Sequence, residues 1–447
     1  MTAHDTIAAL ATPPGTGGVA IIRISGHDAL AIGTRLSGKT PAPRRATLAA
    51  LHDADGSLID QGLLLYFPAP HSYTGEDTLE IHGHGGIAVS QTVLAAVLNA
   101  GARLAEPGEY SRRAYQNGKI DLAQAEAIAD LINARTAAAV KAATRSLQGA
   151  FSQEVNALAA ELLALRAYIE AALDFPEEEN DYLSEGDLEA RLHHWGERLA
   201  RLLAQSTQGR LMNDGINLVI AGKPNAGKSS LLNALVGEER AIVTAQAGTT
   251  RDIVRETLNI AGIPVNILDT AGLRDAADHI EQEGIRRTKQ ALASADLILL
   301  LVDGSTLADG NDPAADLPPE SATTPRLLAY NKADRTPADI QANHREGLWL
   351  SAKTGDGIDA LRHAIAAAVG RDEREETPYI ARERHLRALK QAAQHHCDAL
   401  AQLHGARNGE LLAEDLRLAH DALGSITGAT SSDDLLGHIF STFCIGK

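Results

Sequence analysis

The 447 residues are 44% apolar, 22% charged and only 3% aromatic, which supplies several aliphatic cores and excludes both global disorder and a Trp- or Tyr-rich β-sandwich. Two cysteines, Cys397 and Cys444, exclude a disulfide framework. A formal net charge of −17 argues against broad electrostatic adhesion to nucleic acid or anionic lipid, though not against a local basic patch.

In chain order, the amino terminus lacks the basic-then-apolar pattern of a leader, and no stretch of about 18 apolar residues follows it. The expectation is a cytoplasmic protein with no membrane span. The first ~117 residues read as mixed α and β, with strands at Gly18–Ile24 and Gly62–Phe67 bounded by Pro and Gly clusters. Glu80, His82 and His84 alternate as ligands on a strand would, but Gly83, Gly85 and Gly86 favour a tight turn over a metal site there.

From residue 119 to about 210 the chain is Ala/Leu-rich and helical in period, with Val155, Leu158, Leu162, Leu165 and Ile169 advancing by three and four. The acidic stretch Pro176–Asp181 reads as a solvated loop. Between Ile216 and Val369 apolar strands alternate with helical stretches, the pattern of a doubly wound α/β domain. The strands are expected at Ile216–Ala221, Ile263–Asp269, Leu297–Asp303, Leu327–Asn331 and Leu348–Leu350. Helical periodicity then returns, ending in a helix with Leu435, Leu436, Ile439, Phe440 and Phe443 on one face. The economical architecture is one helical domain, split in sequence, that carries the α/β insert. The pairs His193-His194 and His395-His396 read as helix-surface residues. Cys444 reads either as a small apolar residue beside Phe443 or as a reactive thiol.

Gly222-Lys-Pro-Asn225-Ala226-Gly227-Lys228-Ser229 follows a strand and opens a helix through Ser230, fitting G-x-x-x-x-G-K-[ST]. The glycines allow a nest of backbone N–H groups toward phosphate oxygens, Lys228 supplies a point charge to the β- and γ-phosphates, and Ser229 a hydroxyl to Mg²⁺. Gly248-Thr249-Thr250 offers a second hydroxyl for Mg²⁺, from Thr250, and Asp269-Thr270-Ala271-Gly272 a carboxylate near the metal and a glycine N–H for the γ-phosphate. Asn331-Lys332-Ala-Asp334 ends a strand, and Ser351-Ala352-Lys353 follows the next one. An ionised Asp334 only accepts hydrogen bonds, which matches the two adjacent N–H donors on guanine and leaves adenine mismatched. Five such elements in order indicate a GTP site. Leu273 occupies the position where some GTPases keep a water-orienting Gln, and cannot serve. Arg274 and Glu281 either take over that task or belong to a solvated helix start.

Gly222–Ser229, Gly248–Asp252, Asp269–Arg274 and Phe443–Lys447, with Val19–Gly26, Leu79–Gly86 and Lys119–Asp130, make the chain similar to the MnmE (TrmE) family of tRNA-modification GTPases, within the TrmE-Era-EngA-like group. The resemblance implies a multidomain α/β protein: an α+β folate-binding and dimerisation domain over 1–118, a split all-helical domain over 119–213 and 372–447, and an inserted P-loop GTPase domain over 214–371. It implies a homodimer that works with the FAD-dependent partner MnmG, as a heterotetramer or larger, on C5 of the wobble uridine of tRNA. The one-carbon donor would be 5-formyl- or methylene-tetrahydrofolate. By the same resemblance Arg23, Glu80, Lys119 and Lys447 contact folate. Asn225, Thr244, Gln246 and Thr249 ligate K⁺, and Glu281 positions the attacking water. The competing class is a GTP-switched RNA-binding or ribosome-assembly factor, which usually appends a basic RNA module that is not visible here.

Overall fold

A computed structural model describes residues 5–174, 186–236, 254–269, 295–307, 324–370, 379–405, 408–430, 433–444 and 446. The acidic stretch 176–181 lies outside them. The chain forms two compact units, Met1–Ala129 with Asp421–Lys447, and Asp130–His420.

In the first unit β1 (Ile7–Leu10), β2 (Gly17–Ser25), β3 (Thr47–His52), β4 (Leu58–Phe67), β5 (Thr78–Gly85) and β6 (Arg103–Leu104) form one sheet, ordered β3-β4-β5-β2-β1-β6. Strand alternation sends Ile22, Ile24, Leu64, Leu79 and Ile81 to one face, where α1 (Ala29–Ser37) and α2 (Ile87–Asn99) close the core. Arg23, Leu63, Glu80 and His82 consequently stand on the other face. Next come α3 (Glu109–Gln116) and α4 (Leu122–Asn133). Leu122 and Ala125 pack with Ile439, Phe440 and Phe443 in one cluster.

The expected turn at 83–86 is instead strand up to Gly85. These glycines permit close approach rather than a bend: a Cβ on Gly83 would stand 2.6 Å from Asp60 Oδ2, and one on Gly85 2.4 Å from the Gly17 carbonyl oxygen.

In the second unit α5 (Ala137–Leu147), α6 (Ala150–Asp174) and α7 (Gly186–Asp214) precede an α/β sheet, and α11 (Glu383–His404) follows it. The apolar stripe of α6 read from the sequence is buried at all five positions. Trp195 on α7 is buried and donates its indole N–H to the Leu158 carbonyl at 2.9 Å. His396 on α11 is not a surface residue. Its Nε2–H donates to the Leu192 carbonyl at 2.8 Å, and Gly196 leaves room for its ring, since a Cβ there would stand 2.4 Å from Cε1.

The sheet comprises β7 (Ile216–Ala221), β8 (Val254–Ile260), β9 (Ile263–Asp269), β10 (Leu297–Asp303), β11 (Arg326–Asn331) and β12 (Leu348–Trp349), ordered β12-β11-β10-β7-β9-β8. All neighbours are parallel except β8, which returns antiparallel along β9 through Ala261 and Gly262, both with positive φ. Its helices are α8 (Lys228–Val236), α9 (Ala338–Asn343) and α10 (Ile358–Ala368). Of the remaining helices, α12 (Gly409–Thr427) begins in the second unit and ends in the first, and α13 (Asp433–Ser441) belongs to the first. The chain order reverses beside β7, so the carboxyl end of that strand opens on the crevice where doubly wound folds bind ligands.

Candidate functional site

The loop Gly222–Ser229 leaves β7 at that crevice and enters α8. Asn225 and Gly227 both have positive φ, 65° and 92°, which turns successive N–H groups inward. Gly222 is required by close approach, because a Cβ would stand 2.2 Å from the Leu301 carbonyl oxygen on β10. Lys228 Nζ donates to the Gly222 and Lys223 carbonyls at 2.9 and 3.1 Å, so the ammonium lies across the loop. Ser229 and Ser230 are exposed at the start of α8, where the helix dipole favours anions.

Asn331 ties this loop to the next two motifs. Its buried amide donates Nδ2–H to the Ala226 carbonyl at 2.8 Å, and its Oδ1 accepts from the Lys332 and Ala352 N–H groups at 2.8 and 3.0 Å. A Cβ on Gly227 would stand 2.2 Å from that Nδ2, so glycine is required on steric grounds as well as by φ. Lys332 also has positive φ, and its ammonium lies 2.5 Å from Asp303 Oδ2. Burial works to raise the Asp303 carboxyl, but the Lys332 ammonium and the Ser305 hydroxyl and N–H outweigh it and hold the group below its ordinary value. Asp334 Oδ1 accepts from the Ser351 hydroxyl at 2.7 Å. That bond, with smaller help from the Arg335 and Lys353 charges, keeps Asp334 below the ordinary carboxylate value. An ionised acceptor is thereby held at the rim of the crevice.

The structure thus brings together Asn225, Ala226, Gly227, Lys228 and Ser229 with Asn331, Lys332, Asp334, Ser351, Ala352 and Lys353. Thr244, Gln246, Gly248, Thr249, Thr250, Thr270, Ala271, Gly272, Arg274 and Glu281 lie outside the described residues, as does Lys447. Asp269 closes β9, with its side chain outside the description. Asp303 was missed in the sequence. Its signal was a carboxylate at the end of an otherwise apolar strand.

A second cluster occupies the first unit. Arg23 and Glu80 are register partners on β2 and β5, and Arg23 Nε and Nη2 both reach Glu80 Oε1 at 2.9 Å. His82 Nε2 lies 3.0 Å from the other carboxylate oxygen. The guanidinium sits 5.5 Å from the Tyr73 ring centre and 5.9 Å from that of Tyr110. The alternating ligand set is not assembled: His84 turns to Asp60, with Nδ1 2.6 Å from Oδ1. Lys119 Nζ donates to the Pro70 carbonyl at 3.0 Å. Cys444 is exposed, and its carbonyl accepts from the Gly108 N–H at 3.4 Å.

A strand, a glycine nest and a helix beside two further loops on parallel strands define the class, a P-loop nucleotide-binding α/β domain within a larger α/β and helical chain. The family model described as the MnmE helical domain matches residues 122–444, and that described as the GTP-binding protein TrmE N-terminus matches residues 6–119. A tRNA modification GTPase MnmE from Dichelobacter nodosus is 57% identical over 458 residues, covering 100% of both chains. The chain belongs to the MnmE (TrmE) family. The solved G domain of the T. maritima FeoB iron transporter aligns with 34% of this chain and 98% of its own at 23% identity, with a TM-score of 0.23, too low to bear on the fold. Among the described residues no helix is long and apolar enough to cross a membrane.

Proposed function

We propose that the chain is a GTP hydrolase of tRNA modification, acting with an FAD-dependent MnmG partner on C5 of the wobble uridine and drawing its one-carbon unit from a tetrahydrofolate. The observation that carries the nucleotide assignment is the Asn331 amide, which locks the phosphate loop to the strand ends bearing Asp334 and Ser351. Lys228 would neutralise the β- and γ-phosphates, and the carboxylate of Asp334 would accept both guanine donors. Ser229 and Thr250 would hold Mg²⁺, which supplies charge neutralisation on the phosphates. Asn225, Thr244, Gln246 and Thr249 would hold K⁺, which supplies the positive charge an arginine finger gives elsewhere. Glu281 would then orient water, with Arg274 beside it.

Arg23, Glu80, Lys119 and Lys447 would hold the folate. The largely buried Glu80 carboxylate, 13% exposed beside its arginine, is suited to the donor edge of a pterin. A homodimer through the same sheet face is supported by Leu48 and Leu63, exposed register partners on β3 and β4, and by exposed Val19. The domain limits are proposed at 1–118, 119–213 with 372–447, and 214–371.

Three measurements test this reading. GTP hydrolysis in K⁺ and Na⁺ at matched ionic strength should be much faster in K⁺; equal rates would remove the self-activating mechanism and leave the GTP site. Asp334→Asn should lose guanine nucleotide and gain xanthine nucleotide, whose C2 carbonyl accepts where the guanine amine donates. Lys228→Ala should lose nucleotide and keep reduced-folate binding, while Glu80→Gln should do the reverse; loss of both ligands in either variant would refute separate sites.

A further inference from the structure

Away from the nucleotide loop, α7 and α11 carry a second group of ligand-type side chains. Glu189 and His193 stand one turn apart on α7, and His404 is the last residue of α11. Glu189 Oε1 lies 3.0 Å from His404 Nε2 and 3.7 Å from His193 Nε2, and one ligand atom from each residue falls within 4.8 Å of the others. A tetrahedral ion bound at about 2.0–2.1 Å has ligand-to-ligand edges of about 3.3–3.4 Å. The two measured edges at the carboxylate bracket that value.

An ordinary surface ion pair needs one histidine. Here two imidazoles converge on a single carboxylate oxygen, from helices that the buried His396–Leu192 hydrogen bond already joins. Only the three side chains, each about half exposed, need settle around an ion. Two nitrogens and one carboxylate suit Zn²⁺ and its borderline neighbours rather than Mg²⁺ or Ca²⁺, which take oxygen.

We propose that Glu189, His193 and His404 form a Zn²⁺ site, with water in the fourth position, that clips α7 to α11. Those helices precede and follow the α/β segment in sequence, so the ion would fasten its two flanks. This reading does not depend on GTP or folate chemistry.

The test titrates ZnCl₂ into the full-length, EDTA-treated, nucleotide-free protein by calorimetry, with Co²⁺ absorption as a second readout of four-coordination. One ion per chain is expected, with affinity falling on the order of 100-fold in His404→Ala and in Glu189→Gln. His395→Ala is the control, because His395 belongs to a different group with Asp398 and Asp415 and should leave binding intact. All three variants should keep the metal-free melting temperature of the parent, which separates ligand loss from misfolding. No binding, binding that survives both ligand variants, or binding lost in His395→Ala overturns the site.

Discussion

The side chain of Asn331 satisfies three backbone groups, so truncating it removes three hydrogen bonds at once and leaves the buried Ala226 carbonyl without its partner. Each buried group left unpaired costs about 1–3 kcal/mol. Asn331→Ala should therefore weaken guanine nucleotide binding by about tenfold or more, a factor that corresponds to about 1.4 kcal/mol. Titration of a fluorescent GDP analogue reads the effect, and unchanged affinity would contradict the bridging role. Glu109 is a comparable centre in the first unit, almost fully buried, with the Arg103 and Arg113 guanidiniums at 2.7 and 3.0 Å. Burial works to raise its carboxyl, but the arginines and the Glu106 N–H prevail and hold it below its ordinary 4.5. A depressed carboxyl contributes stability that is complete above that value and lost as pH falls through the lower folded value. The urea midpoint of the first unit should decline below pH 4.5, and Glu109→Gln should flatten that decline. The phosphate loop was legible because its chemistry is local in sequence. The roles of Asn331 and Asp303 as ties between motifs were not, since their partners arrive only through strand order.

At the scale of elements, α6 was legible because its stripe is self-contained, whereas β8 was not. That strand carries Arg255, Glu256, Thr257 and Asn259 among its residues and lies on the sheet edge, so it lacks the continuous apolar run by which the buried parallel strands are read. The glycines of β5 misled for a different reason: they admit the Asp60 side chain and the Gly17 carbonyl, contacts set by strands distant in sequence. The contact between α7 and α11 likewise depends on Gly196. Gly196→Ala should cost about 1–3 kcal/mol through overpacking against the His396 ring, visible as a lower melting temperature of the second unit. Burial pushes the His396 imidazole below its ordinary 6.5, against a smaller opposing effect of the Leu192 carbonyl. The unfolded chain then takes up the proton first, so this contribution is present above pH 6.5 and lost as pH falls below it. A His396→Gln variant should show a shallower acid-side loss than the parent, and equal slopes would contradict the assignment.

On the scale of the whole molecule, the second unit holds both ends of its α/β insert. A Cβ on Gly209, near the end of α7, would stand 2.5 Å from the Tyr379 carbonyl oxygen. The Ser146 hydroxyl accepts from the Ile380 N–H at 2.9 Å, and Arg382 reaches Asp130 at 2.6 Å. To the helices, the insert is therefore a closed excursion of about 160 residues that starts and finishes at one place. While it is folded, its ends are already together. Were it to melt alone, the helices would have to close a slack loop of that length, costing about 2.5 kcal/mol more than a ten-residue tether. Helix stability would then depend on the folded state of the insert through chain entropy, in addition to direct links such as the Thr136 hydroxyl to the Gly262 carbonyl and Leu211 in the sheet's core. Replacing residues 216–377 with a ten-residue Gly/Ser tether should accordingly leave helices that melt cooperatively, above the temperature they show when the insert alone is unfolded.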